Sequence, residues 1–343
     1  MKKLSINIPT YNRDVFLKKN ISIIIDQLRT DDLVNDVEIN VSDNASTDTT
    51  QEIVRELIDK NPDISITYHR NEVNEGPDVN FIKAMHMATG EYSILFGDDD
   101  FFEPQAIRNI FGMFIKYTET AIFVSNRISV NSNDEFVRKQ AFLREDVESQ
   151  TFDFSHKNDI RAYFSLVRDL GGVLTFISSV IYKTSILRDV GEYNSDCNGT
   201  CYSFLFYFWT SLARGKQLTY LNEYFVRATT IGVTNNNYGI GLKRLLVDTE
   251  GLSRIASIVF YDESIDIKDA FLSAVRKSIP LKRITPEIYA ASNNNLNRLN
   301  DSLIKCGWDC DFVNHLLYLT SFRVGLKTVI KNLIPFMGKR IRI

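Results

Sequence analysis

The stretch ILFGDDDFFEP, residues 94–104, decides how the rest of the chain is read. An apolar run of strand type ends at Gly97, three aspartates follow without a break, and Pro104 closes the segment. Adjacent carboxylates disfavour one another's ionisation, so three of them at a strand end require something that offsets the repulsion. Two readings are open at this point. One is a divalent cation held by carboxylate oxygens. The other is a polar turn that caps a helix opening near Pro104.

Working outward from this stretch, short β-rich runs alternate with helical ones. LSINIP (4–9), VEINVSD (37–43), ISITYHR (64–70) and YSILFG (92–97) read as strands. RDVFLKKNISIIIDQL (13–28) carries apolar residues at helical spacing. STDTTQEIVRELIDK (46–60) opens with residues suited to an N-cap and sets Ile53, Val54, Leu57 and Ile58 on one face. VNFIKAMHMATG (79–90) reads as a helix ended by Gly90. This alternation predicts an α/β fold, a mostly parallel central sheet flanked by helices. In such sheets ligands collect outside the carboxyl ends of the strands, which here read PTYN, SDNASTD, RNEVNEG and GDDD. Tyr11, Asn12, Asp43 and the triplet Asp98, Asp99 and Asp100 would then share one edge, a pocket rich in carboxylates. Blander readings stand beside these: an N-cap turn for Asn44–Asp48, a core or turn aromatic for Tyr11, and a plain loop for Asn71, Asn74 and Gly76.

Composition narrows the classes. The chain has 343 residues, 44% hydrophobic and 24% charged, which suits one large α/β domain with an appendage and leaves disorder out of question. A net charge of −3 gives no reason to expect nucleic acid as a partner. VLTFISSVIY (173–182) stops far short of the roughly 20 apolar residues that span a bilayer. MKKLSINIPTYN turns polar too early for a signal peptide, and a cytoplasmic protein is expected. Neither GxGxxG nor GxxxxGK[ST] is present, so phosphate would have to be held another way, for which a cation on the aspartates suffices.

With these residues in place, the chain resembles the family 2 glycosyltransferases of the GT-A fold. IPTYNR (8–13), SDNASTD (42–48), RNEVNEGPDVNF (70–81) and ATGEYSILFGDDDFFEP (88–104) follow one another in the family's order. The third block further resembles bacterial O-antigen transferases that add dideoxyhexoses such as abequose. The resemblance implies a Rossmann-like GT-A domain that moves a sugar from a nucleotide-sugar donor to a hydroxyl of a saccharide or lipid-linked acceptor, usually with Mn2+ or Mg2+ and with inversion. It implies that Pro9, Thr10 and Tyr11 frame the nucleoside, that Asp43 hydrogen-bonds the base, and that Asn12 and Asn74 complete the donor side. Asp98 then suits a ribose hydroxyl and Asp99 or Asp100 the metal. The common family pattern D-x-D-D would begin at position 97, where this chain has Gly97. Two alternatives are a metal-dependent nucleotidyltransferase and an inactive nucleotide-sugar-binding protein on the same fold.

The second half departs further. GGVLTFISSVIYKTSILRDVGEYN (171–194) resembles the family's acceptor-side segment, with VGEYN in place of the frequent vGgFd. The Glu-Asp pair that usually follows is absent: counting back from LARGKQLTYL (212–221) reaches Ser203 and Phe204. An acceptor hydroxyl needs a base within hydrogen-bond reach. The nearby acids are Glu192 and Asp196, and Asp196 is the nominated base, with a loop residue in YNSDCNG as the alternative. The expected division is a catalytic domain over 1–225 and a mainly helical region over 226–343, with LKRLLVDTEGLSRIASIVF (242–260) as helix. The end, FRVGLKTVIKNLIPFMGKRIRI (322–343), is basic and amphipathic without a single acid. It reads either as contact with an anionic membrane surface, placing the protein on the inner face of the cytoplasmic membrane, or as a packed helix with a basic tail.

Overall fold

Residues 2–131, 133–229, 241–261, 265–280, 283–284, 287, 293–311 and 313 are described by the structure, a computed structural model. Leu4–Thr10 (β1) and Val37–Asp43 (β2) run parallel, in register from Leu4 opposite Val37 to Thr10 opposite Asp43. Ser65–Arg70 (β3) adds in parallel outside β2, and Tyr92–Leu95 (β4) in parallel on the other side of β1. The connecting helices are Asp14–Thr30 (α1), Thr50–Lys60 (α2) and Pro77–His86 (α3).

Every residue of β1, β2 and β4 is buried, as expected of strands covered on both faces. Side chains alternate between the faces. Leu4, Ile6, Ile8, Ile39, Val41 and Ile94 pack against Leu17, Ile21, Ile24 and Leu28 of α1 and Val54 of α2. Ser5, Asn7, Glu38, Asn40 and Ser42 alternate with them and bond among themselves and to α3: Ser5 Oγ to Glu38 Oε1 at 2.6 Å, Asn40 Nδ2 to Asn7 Oδ1 at 2.9 Å and Ser42 Oγ to Asn80 Oδ1 at 2.8 Å.

Helix α3 ends at His86, not at Gly90 as its sequence pattern suggests. Gly90 has a different task. Its N–H donates to Ser5 Oγ at 2.8 Å, and a Cβ there would lie 3.0 Å from the Leu4 carbonyl carbon. The chain leaves the helix early so that this residue can lie against β1.

Further along come Asp100–Phe102 (β5), Ala106–Lys116 (α4), Ile122–Val130 (β6), Phe136–Gln140 (β7), Gln150–Asp153 (β8), Lys157–Leu166 (α5), Val180–Lys183 (β9), Ser185–Val190 (α6), Leu205–Ala213 (α7) and Gln217–Thr229 (β10). The sheet order is β3-β2-β1-β4-β9-β6-β10-β5, with β7 on β6 and β8 on β10. Strand β9 is antiparallel to both neighbours, so β6 points the same way as β4, and β10 is parallel to β6. Strand β10 crosses position 225. Beyond it, Gly241–Val259 (α8), Ile265–Ser278 (α9) and Asn293–Lys305 (α10) form the C-terminal helical part. Helix α8 packs on α7 and α10, and α9 on α5. Trp209 of α7 meets Phe271 of α9 edge-on with ring centroids 5.2 Å apart, within one continuous apolar core. The basic segment 322–343 lies outside the described residues.

Candidate active site

The strand order reverses between β1 and β4: β2 and β3 follow β1 on one side, and β4 lies on the other. The loops after β1 and β4 therefore face each other across the crevice where ligands of open α/β sheets bind. There Thr10 Oγ1 donates to Asp98 Oδ2 at 2.8 Å. Arg13 Nη1 lies 2.5 Å from Asp99 Oδ2 and 3.3 Å from Asp98 Oδ1. Asn20 of α1 fastens the loop by donating to the carbonyls of Gly97 at 3.0 Å and Asp100 at 2.6 Å.

The three aspartates have different surroundings. Asp98 and Asp100 are each 6% exposed, whereas the Asp99 side chain is 29% exposed. Burial, reinforced by the neighbouring Asp99 charge, lifts the Asp98 carboxyl to about 7 against the pull of Arg13 and Thr10. Burial and Asp99 also raise Asp100 well above the carboxylate range, opposed by the Ser178 hydrogen bond and by Arg127. Asp100 Oδ2 accepts from Ser178 Oγ at 2.5 Å, and Ser178 Oγ accepts from the Gly97 N–H at 2.8 Å. This fold of Asp100 explains Gly97: a Cβ there would lie 2.7 Å from Asp100 Oδ2. Asp99 thus presents the accessible carboxylate of the triplet.

At the end of β2, Asp43 is fully buried. Its Oδ1 accepts from the Ser46 N–H at 2.9 Å, its Oδ2 from the Tyr68 hydroxyl at 2.7 Å, and Arg70 Nε lies 3.6 Å away. Asn12, at φ 53°, donates its N–H to Ser46 Oγ at 2.9 Å and accepts from the Thr47 N–H at 2.7 Å, joining the loops after β1 and β2. Asn74 is exposed and accepts from Asn44 Nδ2 at 2.8 Å and the Gly76 N–H at 2.9 Å, which shapes the loop into α3. Pro9 is buried in β1 and Tyr11 half-buried just beyond it. The fold therefore brings Pro9, Thr10, Tyr11, Asn12, Asp43, Asn74 and Asp98–Asp100 to one edge. Asp196 lies apart from these bonds, exposed in a short 3-10 turn, Ser195–Cys197, whose Asp196 N–H donates to Asn194 Oδ1 at 2.9 Å.

Several participants escape a reading of sequence. Arg13 stands inside the IPTYNR block, but its partners are 85 and 86 residues away. Arg127 is half-buried, with its guanidinium 4.4 Å from the Phe176 ring centre and donating to Gln140 Oε1. Asp78, in the first turn of α3, accepts from three backbone N–H groups, those of Gly199 at 2.8 Å and of Cys201 and Ser203 at 3.0 Å. Ser203, where the resemblance leads one to expect an acid, is itself buried beneath an acid from another element. Among the described residues no three His, Cys, Asp or Glu side chains converge as a ready-made metal shell, and no helix is long and apolar enough to cross a membrane.

Comparison with known proteins agrees with this fold. The fold is similar to that of S. aureus TarS 1–349, with a TM-score of 0.63 and 16% identity over 99% of this chain and 93% of that one. It is also similar to the mannosyltransferase PcManGT from Pyrobaculum calidifontis, solved in complex with GDP-Man and Mn2+, with a TM-score of 0.53 and 16% identity over 96% and 87% of the two chains. In sequence, the abequosyltransferase RfbV of Salmonella typhimurium is 28% identical over 335 residues, 96% of this chain and 97% of the relative. The GalNAc(5)-diNAcBac-PP-undecaprenol beta-1,3-glucosyltransferase of Campylobacter jejuni is 39% identical over 101 residues, 29% of this chain and 30% of the relative. Residues 5–183 match the family Glycosyl transferase family 2, and with that match over more than half its length the chain belongs to this family and is a glycosyltransferase of the GT-A fold.

Proposed function

We propose that the enzyme transfers a sugar from a nucleotide-sugar donor to a hydroxyl of a saccharide or lipid-linked acceptor during assembly of a bacterial surface polysaccharide of the O-antigen type. The observation that carries this reading is the likeness to an abequosyltransferase across nearly the full length of both chains. In this reading Pro9, Thr10 and Tyr11 frame the nucleoside, Asp43 reads the base, Asp98 takes a ribose hydroxyl, and Asn12 and Asn74 complete the donor side. Asn74 holds the neighbouring loop through Asn44. Contact of segment 322–343 with an anionic membrane surface belongs to the same proposal.

A divalent cation fits the donor set in a limited way. The protein offers the partly exposed carboxylate of Asp99, whose Oδ2 is held by Arg13, with Asp100 turned inward to Ser178, so the remaining ligands of a hard cation would come from the donor's diphosphate and water. When bound, Mn2+ or Mg2+ would neutralise charge on the departing nucleotide. Titration calorimetry with UDP, CDP, GDP and dTDP, with and without Mn2+, tests the donor site on the wild type and on Asp99→Ala/Asp100→Ala. One nucleotide should bind in a metal-dependent manner and the double variant should lose it; no binding of any nucleotide overturns the donor assignment.

For the acceptor step we propose Asp196 as the base, supported by its exposed carboxylate on the loop that precedes α7. The hydroxyl it would deprotonate has an intrinsic pKa far above neutrality. Transfer should vanish in Asp196→Ala and persist in Glu192→Ala. Full activity in Asp196→Asn would remove Asp196 from this role.

A further inference from the structure

Arg13 occupies the position beside Asp99 that a cation would need. Its side chain is only 16% exposed, and its Nη1 is shared between Asp99 Oδ2 at 2.5 Å and Asp98 Oδ1 at 3.3 Å. A guanidinium stays charged at any pH the protein survives. The carboxylates of the β4 loop thus already have an internal positive partner, supplied from the β1 loop across the crevice.

We infer that Arg13 is a counter-ion which a divalent cation must displace from Asp99, and that the donor's diphosphate is the anion that receives the displaced guanidinium. The inference rests on the donor reading above and names a residue toward the diphosphate that the family blocks do not assign. Its physical basis is crowding of positive charge. A cation bound to Asp99 lies about 2.0–2.6 Å from the carboxylate oxygen. A guanidinium still at hydrogen-bond distance from the same oxygen would stand within about 4 Å of the cation, and the two repel. One has to leave. With no nucleotide present, Arg13 would exchange a charge-assisted hydrogen bond for water. With a diphosphate in the crevice it exchanges one anion for another, and a planar fork of N–H donors suits phosphate oxygens. Cation and nucleotide therefore promote each other's binding, by equal factors as linkage requires.

The same contact could instead be a fixed pin between two loops. Removing a pin should loosen the loops and weaken cation binding, whereas removing a competitor should strengthen it. The test titrates Mn2+ by its paramagnetic resonance signal, in the absence of nucleotide and in the presence of whichever of UDP, CDP, GDP or dTDP binds tightest. The proteins are wild type, Arg13→Gln, Arg13→Met and Asp99→Asn. In the wild type, nucleotide should tighten Mn2+ by about tenfold or more. Nucleotide-free Arg13→Gln should bind Mn2+ about tenfold more tightly than nucleotide-free wild type and should show a smaller gain from nucleotide. Asp99→Asn should bind Mn2+ more weakly than wild type in both states. If Arg13→Gln does not fold, as judged by its melting transition, Arg13→Met carries the comparison, because a methionine keeps an unbranched side chain but removes the charge, and its nucleotide-free affinity for Mn2+ should exceed that of wild type. Unchanged or weaker nucleotide-free Mn2+ binding in the folded variant overturns the inference while leaving the donor site intact. A wild type that binds nucleotide but never Mn2+ overturns the cation assignment and this inference together.

Discussion

The two ends of the parallel half of the sheet each bury carboxylates, and they do so in opposite ways. At the amino end, Glu38 is 6% exposed and accepts hydrogen bonds from Ser5 Oγ at 2.6 Å, Asn40 Nδ2 at 3.3 Å and the N–H and Oγ1 of Thr89, both at 2.7 Å. Burial pushes its pKa up, but the four donors together outweigh it and the carboxyl sits below its ordinary value of 4.5. At the carboxyl end, Asp98 is equally buried but has Asp99 beside it, and it rises to about 7. The amino-end carboxylate is complete within the protein. The carboxyl-end pair is offset only in part by Arg13, so Asp98 stays raised, as is common where a fold keeps groups for a ligand.

Replacing Glu38 should give the larger effect. Glu38→Ala leaves four buried donors without an acceptor and should cost about 3 kcal/mol of stability in denaturant unfolding, with nucleotide affinity unchanged where the variant is folded. Loss of nucleotide binding at full stability would break the contrast between the two ends. Asp98→Asn should act in the reverse sense. It should abolish or sharply weaken nucleotide binding while raising metal-free stability at pH 8 by about 1–3 kcal/mol, because it removes a buried charge beside a like charge.

The pH dependence of Asp98→Asn sharpens the contrast. Asp98 has a folded value of about 7 against an ordinary 3.8, so the folded state keeps its proton longer. Its contribution is fully present below pH 3.8 and is lost as pH rises through 7. Glu38 is shifted downward, so its contribution is present above its ordinary 4.5 and is lost as pH falls through its lowered value. Unfolding measured between pH 4 and 8 should show a wild-type decline toward pH 8 that is shallower in Asp98→Asn. An unchanged slope would mean that the buried carboxyl at position 98 does not set it.

How much of this was legible beforehand differs from element to element. Both ends of the strand VEINVSD are legible in the sequence, since Val37, Ile39 and Val41 alternate with polar residues up to Asp43, where a polar loop begins. The sequence sets the end of α3 too late because Gly90 looks like a helix stop, and only the approach of β1 shows that the glycine lies against Ser5 and Leu4. The strand-end residues from Pro9 to Asn12, together with Asp43 and the triplet, could be assigned to one edge because topology alone carries them there.

By itself, the order of strands, helices and polar strand ends determined the α/β architecture and the edge where the polar strand-end residues gather, and four ordered sequence blocks carried the resemblance to the family. Only the tertiary structure decided the character of each group on that edge. Burial and partnership come from residues far away in the chain: Arg13 and Ser178 for the triplet, Tyr68 for Asp43, and Asp78 for the segment at Ser203. A carboxylate's accessibility and partners depend on what packs over it, and in this molecule that is settled by contacts spanning from 25 to 125 residues.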